Sequence, residues 1–339
     1  MNVRIFGIDL TLDPIAFSIG GWNVYWYGII IAAGFLLAVL YAMKNAARFN
    51  LNTDKMLDIA LITVPLAILC ARIYYIIFDG TKIESISDFF GFSSSSGIAG
   101  IAIYGGVIGA FTFGPLICKL FKVKILDMFD IASIGFIIGQ CVGRWGNFVN
   151  QEAFGTFTGS SWWGMESTRT NSYMHSYLVK QAEAAGATSY EIAEITGEGL
   201  VHPCFLYESL WCLAGFFVLH YFSKKRKFSG QVFLMYCAWY GFGRAFIEML
   251  RTDSLMLGPI RVSSLLSFII CIGAIVLLII YMRKYKEKEL LSIYTPVFEN
   301  GEGSEIEEEI EDVEEASEET EVLEIEEISE EESIKNEVD

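Results

Sequence analysis

GRWGNFVNQEAFG, Gly143 to Gly155, closes an apolar run that begins near Met128 and opens onto a polar loop. Within nine positions it places Arg144, Asn147, Asn150, Gln151 and Glu152. A charge and several amides at the end of an apolar helix are costly in a membrane unless they serve something. The chain on either side decides whether a membrane is the setting.

Apolar residues make up 53% of the 339 and charged residues only 19%, with a mean hydropathy of +0.43. Several stretches approach the ~20 apolar residues that cross a bilayer. Seven read as spans: Val24 to Met43, Leu57 to Phe78, Gly97 to Cys118, Met128 to Trp145, Pro203 to Phe222, Gln231 to Leu250 and Val262 to Met282. The expected fold is therefore an all-α integral membrane protein of about seven transmembrane helices. Tyr25, Trp26 and Tyr27 open the first span as an interfacial cluster. Gly100, Gly105, Gly106 and Gly109 in the third let helices approach closely and offer room for an acyl chain. The lead, Met1 to Asn23, is read as lying at the membrane surface. Residues 154–201 are too many for a simple connection. An amphipathic pattern over Asn171 to Ala185 places a small extracytoplasmic subdomain there, between the fourth and fifth spans.

The formal net charge of −17 misleads, because it is segregated. From Glu299 onward, 21 acidic residues face one lysine, a balance of −20, whereas the rest, with 23 basic and 20 acidic residues, carries +3. The chain thus divides into a membrane body, 1–293, and an acidic tail, 294–339, whose composition predicts disorder. Lysine and arginine also set the orientation. Lys44, Arg48 and Lys55 follow the first span, and Lys119, Lys122 and Lys124 the third. Lys224 to Lys227 follow the fifth, and Arg283, Lys284, Lys286 and Lys288 the seventh. The alternate connections are poorer in positive charge, with Lys82 alone after the second span and only Arg169 and Lys180 in the long loop after the fourth. The N-terminus is expected outside and the tail in the cytoplasm. The seven cysteines lie in or beside apolar runs without a CxxC pair and read as small core residues.

With orientation set, the polar residues of the spans share one depth. Tyr27, Arg72, Tyr104, Arg144, Asn147, His202 and Glu208 all fall toward the outer ends. So do Tyr240, Arg244, Glu248 and Arg251, whose spacings of four, four and three make one helix stripe. Singly each has a plain structural reading. Arg144 and Arg251 are placed as snorkelling residues would be, Arg244 with Glu248 as an ion pair would be, and Glu208 as an assembly contact. Tyr27 suits an aromatic belt, Tyr104 a core hydroxyl, His202 a helix entry and Arg72 a structural contact. Together they are expensive at one depth. Guanidinium binds phosphate bidentately and stays charged, and the abundant phosphates at that depth are phospholipid headgroups. No HExxH, GxSxG or paired-aspartate pattern points to proteolysis, acyl hydrolysis or metal chemistry. Residue chemistry alone reaches an outer-leaflet pocket for an anionic lipid, and no reaction.

GRWGNFVNQEAFG closely resembles the signature of the prolipoprotein diacylglyceryl transferases. The resemblance extends to DPIAFSIG (Asp13 to Gly20) followed by WYG (Trp26 to Gly28), and to YGG (Tyr104 to Gly106). It continues through HPCFLYES (His202 to Ser209) and YGFGRAFIEMLR (Tyr240 to Arg251), in the family's order. It implies transfer of the diacylglyceryl group of phosphatidylglycerol to the lipobox cysteine of a prolipoprotein at a bacterial plasma membrane. The products would be a thioether-linked lipid and glycerol phosphate. It implies phosphatidylglycerol, lipobox peptides and the bilayer as partners, no cofactor or metal, and no nucleic acid.

Carried over by position, Arg144 and Arg244 resemble the phosphate-holding residues. Tyr27, Asn147, Glu152, Glu208, Tyr240 and Glu248 match family positions tied to activity or site structure. One position departs: many members have histidine before the paired glycines, where this chain has Tyr104. Tyr104, His202 and water are all candidates for taking the thiol proton, although a phenol titrating near pH ~10 is a poor base. Two other classes compete. A lipid or anion transporter using the same arginines needs a polar path to the inner side, and a scaffold makes the tail the working part.

Overall fold

The computed structural model describes residues 2–20, 22–79, 89, 102–252, 256–257 and 260–294. The acidic tail, and Gly97 to Ile101 at the start of the third apolar stretch, lie outside these residues. Each of the seven apolar stretches otherwise falls on a helix: α1 (Trp26–Asn45), α2 (Thr53–Asp79), α3 (Ile103–Leu120), α4 (Ile125–Asn150), α7 (Cys204–Ser223), α8 (Gln231–Leu250) and α9 (Val262–Tyr294). Five, α1, α2, α4, α7 and α9, contain segments long and apolar enough to cross a membrane. The shorter apolar helix α3 does not reach that length, and α8 carries Gln231, Arg244 and Glu248 among its apolar residues.

One expectation about the helices is corrected. The fourth stretch extends past Trp145. Its helix runs 26 residues, so Gly146 to Asn150 continue the helix where a polar loop was expected. The polar residues find partners inside the bundle, so the backbone has no need to leave the helix for water. The fold is mostly helical, in keeping with the all-α expectation, with short strands besides. β1 (Asn2–Ile5) pairs with β2 (Ile8–Thr11) and also, antiparallel, with β5 (Met165–Ser167), with Val3 opposite Ser167. β3 (Ile15–Ile19) and β4 (Trp22–Tyr25) form a second hairpin whose end joins α1, where Trp26 N–H donates to the Pro14 carbonyl at 3.0 Å. A last pair, β6 (Met256–Leu257) and β7 (Ile260–Arg261), leads into α9. Strands of two to five residues are too short to show a period of two, and β5 lies far from β1 in sequence.

The long connection does hold a helix, α5 (Thr168–Ala184), close to the expected place, followed by α6 (Ser189–Ala193). α5 opens with Ser167 and Thr170 as a reciprocal capping box. Val3, Phe154, Met165, Met174 and Val201 share one core with Phe148 of α4 and Phe205 of α7. The subdomain thus includes the N-terminal hairpin and is fused to the helix ends.

Close helix approach relies on small residues. A Cβ at Gly105 would lie 2.6 Å from the Cys70 carbonyl oxygen, and one at Gly109 2.7 Å from Cys70 Cβ, so α2 fills the glycine face of α3. This corrects the reading of those glycines as room for an acyl chain. Gly143 and Gly146 of α4 receive Ile31 and Tyr27 of α1. Trp211 of α7 and Trp239 of α8 stack at 4.4 Å, and each indole N–H donates to the other's carbonyl at 3.0 Å. Gly243 and Gly215 leave the space for those rings. The opposite helix ends are locked by Arg226, which donates to Asp127 at 2.6 Å and Asp130 at 2.9 Å. Asp130 also accepts the Gly230 and Phe233 N–H groups at 2.8 Å, capping α8. Large apolar side chains outside the core, such as Leu36, Leu61, Phe78, Leu120 and Phe217, remain exposed on the helix faces.

Candidate active site

α4 bears Gln140, Arg144 and Asn147 at spacings of four and three; α8 bears Tyr236, Tyr240, Arg244 and Glu248 at spacings of four, with Arg251 three residues on at its C-cap. Each set forms one stripe, and the two meet across Glu208 of α7. Arg144 Nη2 donates to Glu208 Oε1 at 2.5 Å, and Arg244 Nη1 to Glu208 Oε2 at 3.0 Å. Tyr240 Oη donates to Glu208 Oε1 at 2.9 Å. Glu208 is 2% exposed, so one buried carboxylate holds two guanidinium groups from two helices. Arg244 Nη2 lies 2.6 Å from Glu248 and Arg251 Nε 3.9 Å from it. Arg261, just before α9, donates to the backbone carbonyls of Glu248, at 2.8 Å, and of Arg251. Among the described residues four arginines thus meet two glutamates. Buried ions need partners, and guanidinium groups gathered in one place suit an anion.

Asn147 accepts from Arg144 Nη1 at 3.4 Å, within the same helix. Beyond it the helix ends on Gln151 in the left-handed conformation (φ 54°), with Glu152 N–H donating to the Asn147 carbonyl at 2.9 Å and Gln151 N–H to that of Phe148 at 3.0 Å. This is a Schellman ending with glutamine where glycine is usual. Ala153 is left-handed too (φ 56°). Two such non-glycine residues in one turn carry backbone strain. Arg169 of α5 braces the turn, donating to the Asn150 carbonyl at 2.9 Å and to Glu152 at 3.1 Å. A cleft of about 150 Å³ opens there, lined by Gln151 to Phe154, Arg169, Tyr173 and Thr252.

His202 precedes α7, its backbone bonded to Gly155 and Thr156. Its Nδ1 lies 3.1 Å from Tyr207 Oη, which accepts the Trp163 indole N–H at 2.7 Å. Burial pushes the imidazole pKa below its ordinary 6.5.

A family model of prolipoprotein diacylglyceryl transferase matches residues 14–280. The phosphatidylglycerol–prolipoprotein diacylglyceryl transferase of Clostridioides difficile (strain 630) is 37% identical over 277 residues, 81% of this chain and 98% of that protein. The enzyme of the same name from Limosilactobacillus reuteri (strain DSM 20016) is 39% identical over 290 residues, 82% of this chain and 94% of its own length. That of Bacillus velezensis is 37% identical over 279 residues, 82% and 95%. The chain belongs to the prolipoprotein diacylglyceryl transferase family.

Most of the residues singled out from the sequence of this diacylglyceryl transferase family member gather at one end of the bundle. Arg144, Asn147, Glu208, Tyr240, Arg244, Glu248 and Arg251 form one connected network. The Tyr27 ring packs on Gly146, beside that network. Glu152 lies on the neighbouring turn with Arg169. Tyr104 is 42% exposed, with its hydroxyl 3.3 Å from that of Ser263 at the start of α9. Arg72 donates to the Phe89 carbonyl at 2.8 Å. Sequence reading missed Gln140, Tyr236 and Arg261. The first two lie four residues before Arg144 and Tyr240, so extending each stripe by one turn would have found them.

Proposed function

We propose that this chain transfers the diacylglyceryl group of phosphatidylglycerol to the cysteine thiol of a prolipoprotein, releasing glycerol phosphate. The observation that carries this reading is the sharing of Glu208 by Arg144 and Arg244. The shared carboxylate orients both guanidinium groups before a ligand arrives, and such preorganised donors stabilise developing charge effectively. In the reaction the S–C bond to the glyceryl carbon forms as the bond from that carbon to the phosphate oxygen breaks. The electron pair leaves on the phosphate oxygen, where Arg144 and Arg244 meet the growing charge. Asn147 and Tyr240 fix the arginines, Glu248 holds Arg244, and Glu152 braces the adjoining turn.

His202 takes the thiol proton. In the tautomer whose Nδ1–H donates to Tyr207, Nε2 is the acceptor, and burial favours the neutral ring. Tyr104 instead packs by its hydroxyl against Ser263. All seven apolar helices cross the membrane, with the N-terminus outside and the site at the outer leaflet, as the lysine and arginine asymmetry supports. The transporter reading is not favoured. Inward of the network the seam meets Ile137, Ile134, Ile131 and Leu219, all fully buried and apolar.

The test supplies purified protein with labelled phosphatidylglycerol and a lipobox peptide. The expected product carries the label in a thioether that survives mild base. Absence of that product under conditions where the folded protein binds the lipid overturns the reading.

A further inference from the structure

One turn inward of the arginines, the amide of Gln140 meets Tyr236, with Nε2 and Oη 2.9 Å apart. The Tyr236 ring stacks on that of Tyr240 at 5.7 Å, nearly parallel at 4°, and Tyr240 in turn bonds Glu208. The amide therefore borders the Arg144–Glu208–Arg244 network on its membrane side. Its Oε1 is buried without a hydrogen-bond partner among the described residues. A buried unpaired polar atom is costly. Nothing in the reaction as derived uses it.

Turning the amide over removes the orphan, because its two ends are alike in shape and neighbours decide between them. Tyr236 then donates to Oε1, and two N–H groups face the place where Oε1 stood. The group they would need is an acceptor. Four residues of helix rise about 6 Å, so the amide stands that far inward of Arg144. In a glycerophospholipid whose phosphate is held by the arginines, the ester carbonyls lie a few bonds inward of the phosphate. They are acceptors only.

We propose that the Gln140 amide, anchored by Tyr236, hydrogen-bonds an ester carbonyl of the diacylglyceryl group and so fixes the glyceryl carbon in line for the thiol. The proposal rests on the transferase reading and adds a lipid subsite to it. Tyr236 acts through Gln140 and is a positioning residue.

The test compares diester phosphatidylglycerol with its diether analogue, which has the same phosphate and chains without the carbonyls, using the full chain and a lipobox peptide. The wild-type protein is expected to prefer the diester in kcat/KM by about 3- to 10-fold, the worth of one hydrogen bond. Gln140→Met should lower the diester rate by that factor and leave the diether rate unchanged. Tyr236→Phe should weaken the preference while keeping the ring stack. No wild-type preference, or equal losses on both lipids in either variant, overturns the proposal. The wild-type comparison and Tyr236→Phe stand even where Gln140→Met does not fold. A protein that lipidates the peptide with neither lipid overturns the transferase reading and this inference with it.

Discussion

At the scale of the residue, Glu208 matters most: its place inside an apolar stretch marks it in the sequence, and the fold supplies its partners. Sharing one carboxylate between two arginines ties their helices together and, in the proposed reaction, orients both phosphate-binding groups. Its removal takes from Arg144 its carboxylate partner among the described residues and leaves Arg244 with Glu248 alone. Glu208→Ala is expected to destabilise the folded protein by about 3–5 kcal/mol, read as a fall in the thermal unfolding midpoint in detergent, and to abolish transfer. Arg144→Lys keeps the charge and loses the fork. Its expected outcome is a turnover drop of about 10²-fold with the unfolding midpoint little changed.

His202 makes a prediction about pH. Its folded-state pKa lies below the ordinary 6.5, so below about that pH the unfolded chain binds a proton that the folded chain resists. Stability should therefore decline as pH falls through about 6.5, with no contribution from this group at higher pH. The rate should rise with pH through the lowered pKa and then level. His202→Gln should flatten the acid side of both profiles, and Tyr104→Phe should leave the rate profile in place with activity within about threefold.

At the scale of the element, helices meet where glycine clears room for a neighbour's ring or backbone. A methyl group at Gly243 would enter the Trp211 indole, whereas one at Gly139 meets nothing within 4 Å. Gly243→Ala is expected to cost about 1–3 kcal/mol through overpacking. Gly139→Ala should be neutral or slightly stabilising, since alanine suits a helix interior better than glycine. Thermal unfolding of the two variants separates packing from propensity. The same logic explains the glycines of α3. Their presence signals close approach, but only the path of α2 decides whether a helix or a lipid chain fills the space.

At the scale of the molecule, the proposed orientation puts the α5 subdomain outside and the α3–α4 turn inside. Ser176 and Lys122 are exposed in these two places, and the native cysteines are all buried or partly buried. A membrane-impermeant thiol reagent on intact cells is expected to label Ser176→Cys and spare Lys122→Cys. The reverse pattern would overturn the orientation. Arg226 qualifies the charge count behind it. Buried against Asp127 and Asp130, it works as a lock between helices, and the exposed lysines around it carry the asymmetry.

The sequence by itself determined where the apolar helices lie and that Tyr240, Arg244, Glu248 and Arg251 share a stripe. Hydropathy and a period of 3.6 are local properties, readable within one segment. It also marked Arg144 and Asn147, because polar residues ending an apolar run stand out without any partner in view. The tertiary structure alone decided which charge meets which. Glu248 lies one turn from Arg244 and was legible as its partner, but Glu208 reaches both arginines only because α4, α7 and α8 pack at one level. The pairing of β1 with β5, the filling of the α3 glycines by α2 and the meeting of Gln140 with Tyr236 have the same origin. Each joins residues on separate elements, and the crossing of those elements, which no local spacing encodes, brings them within reach.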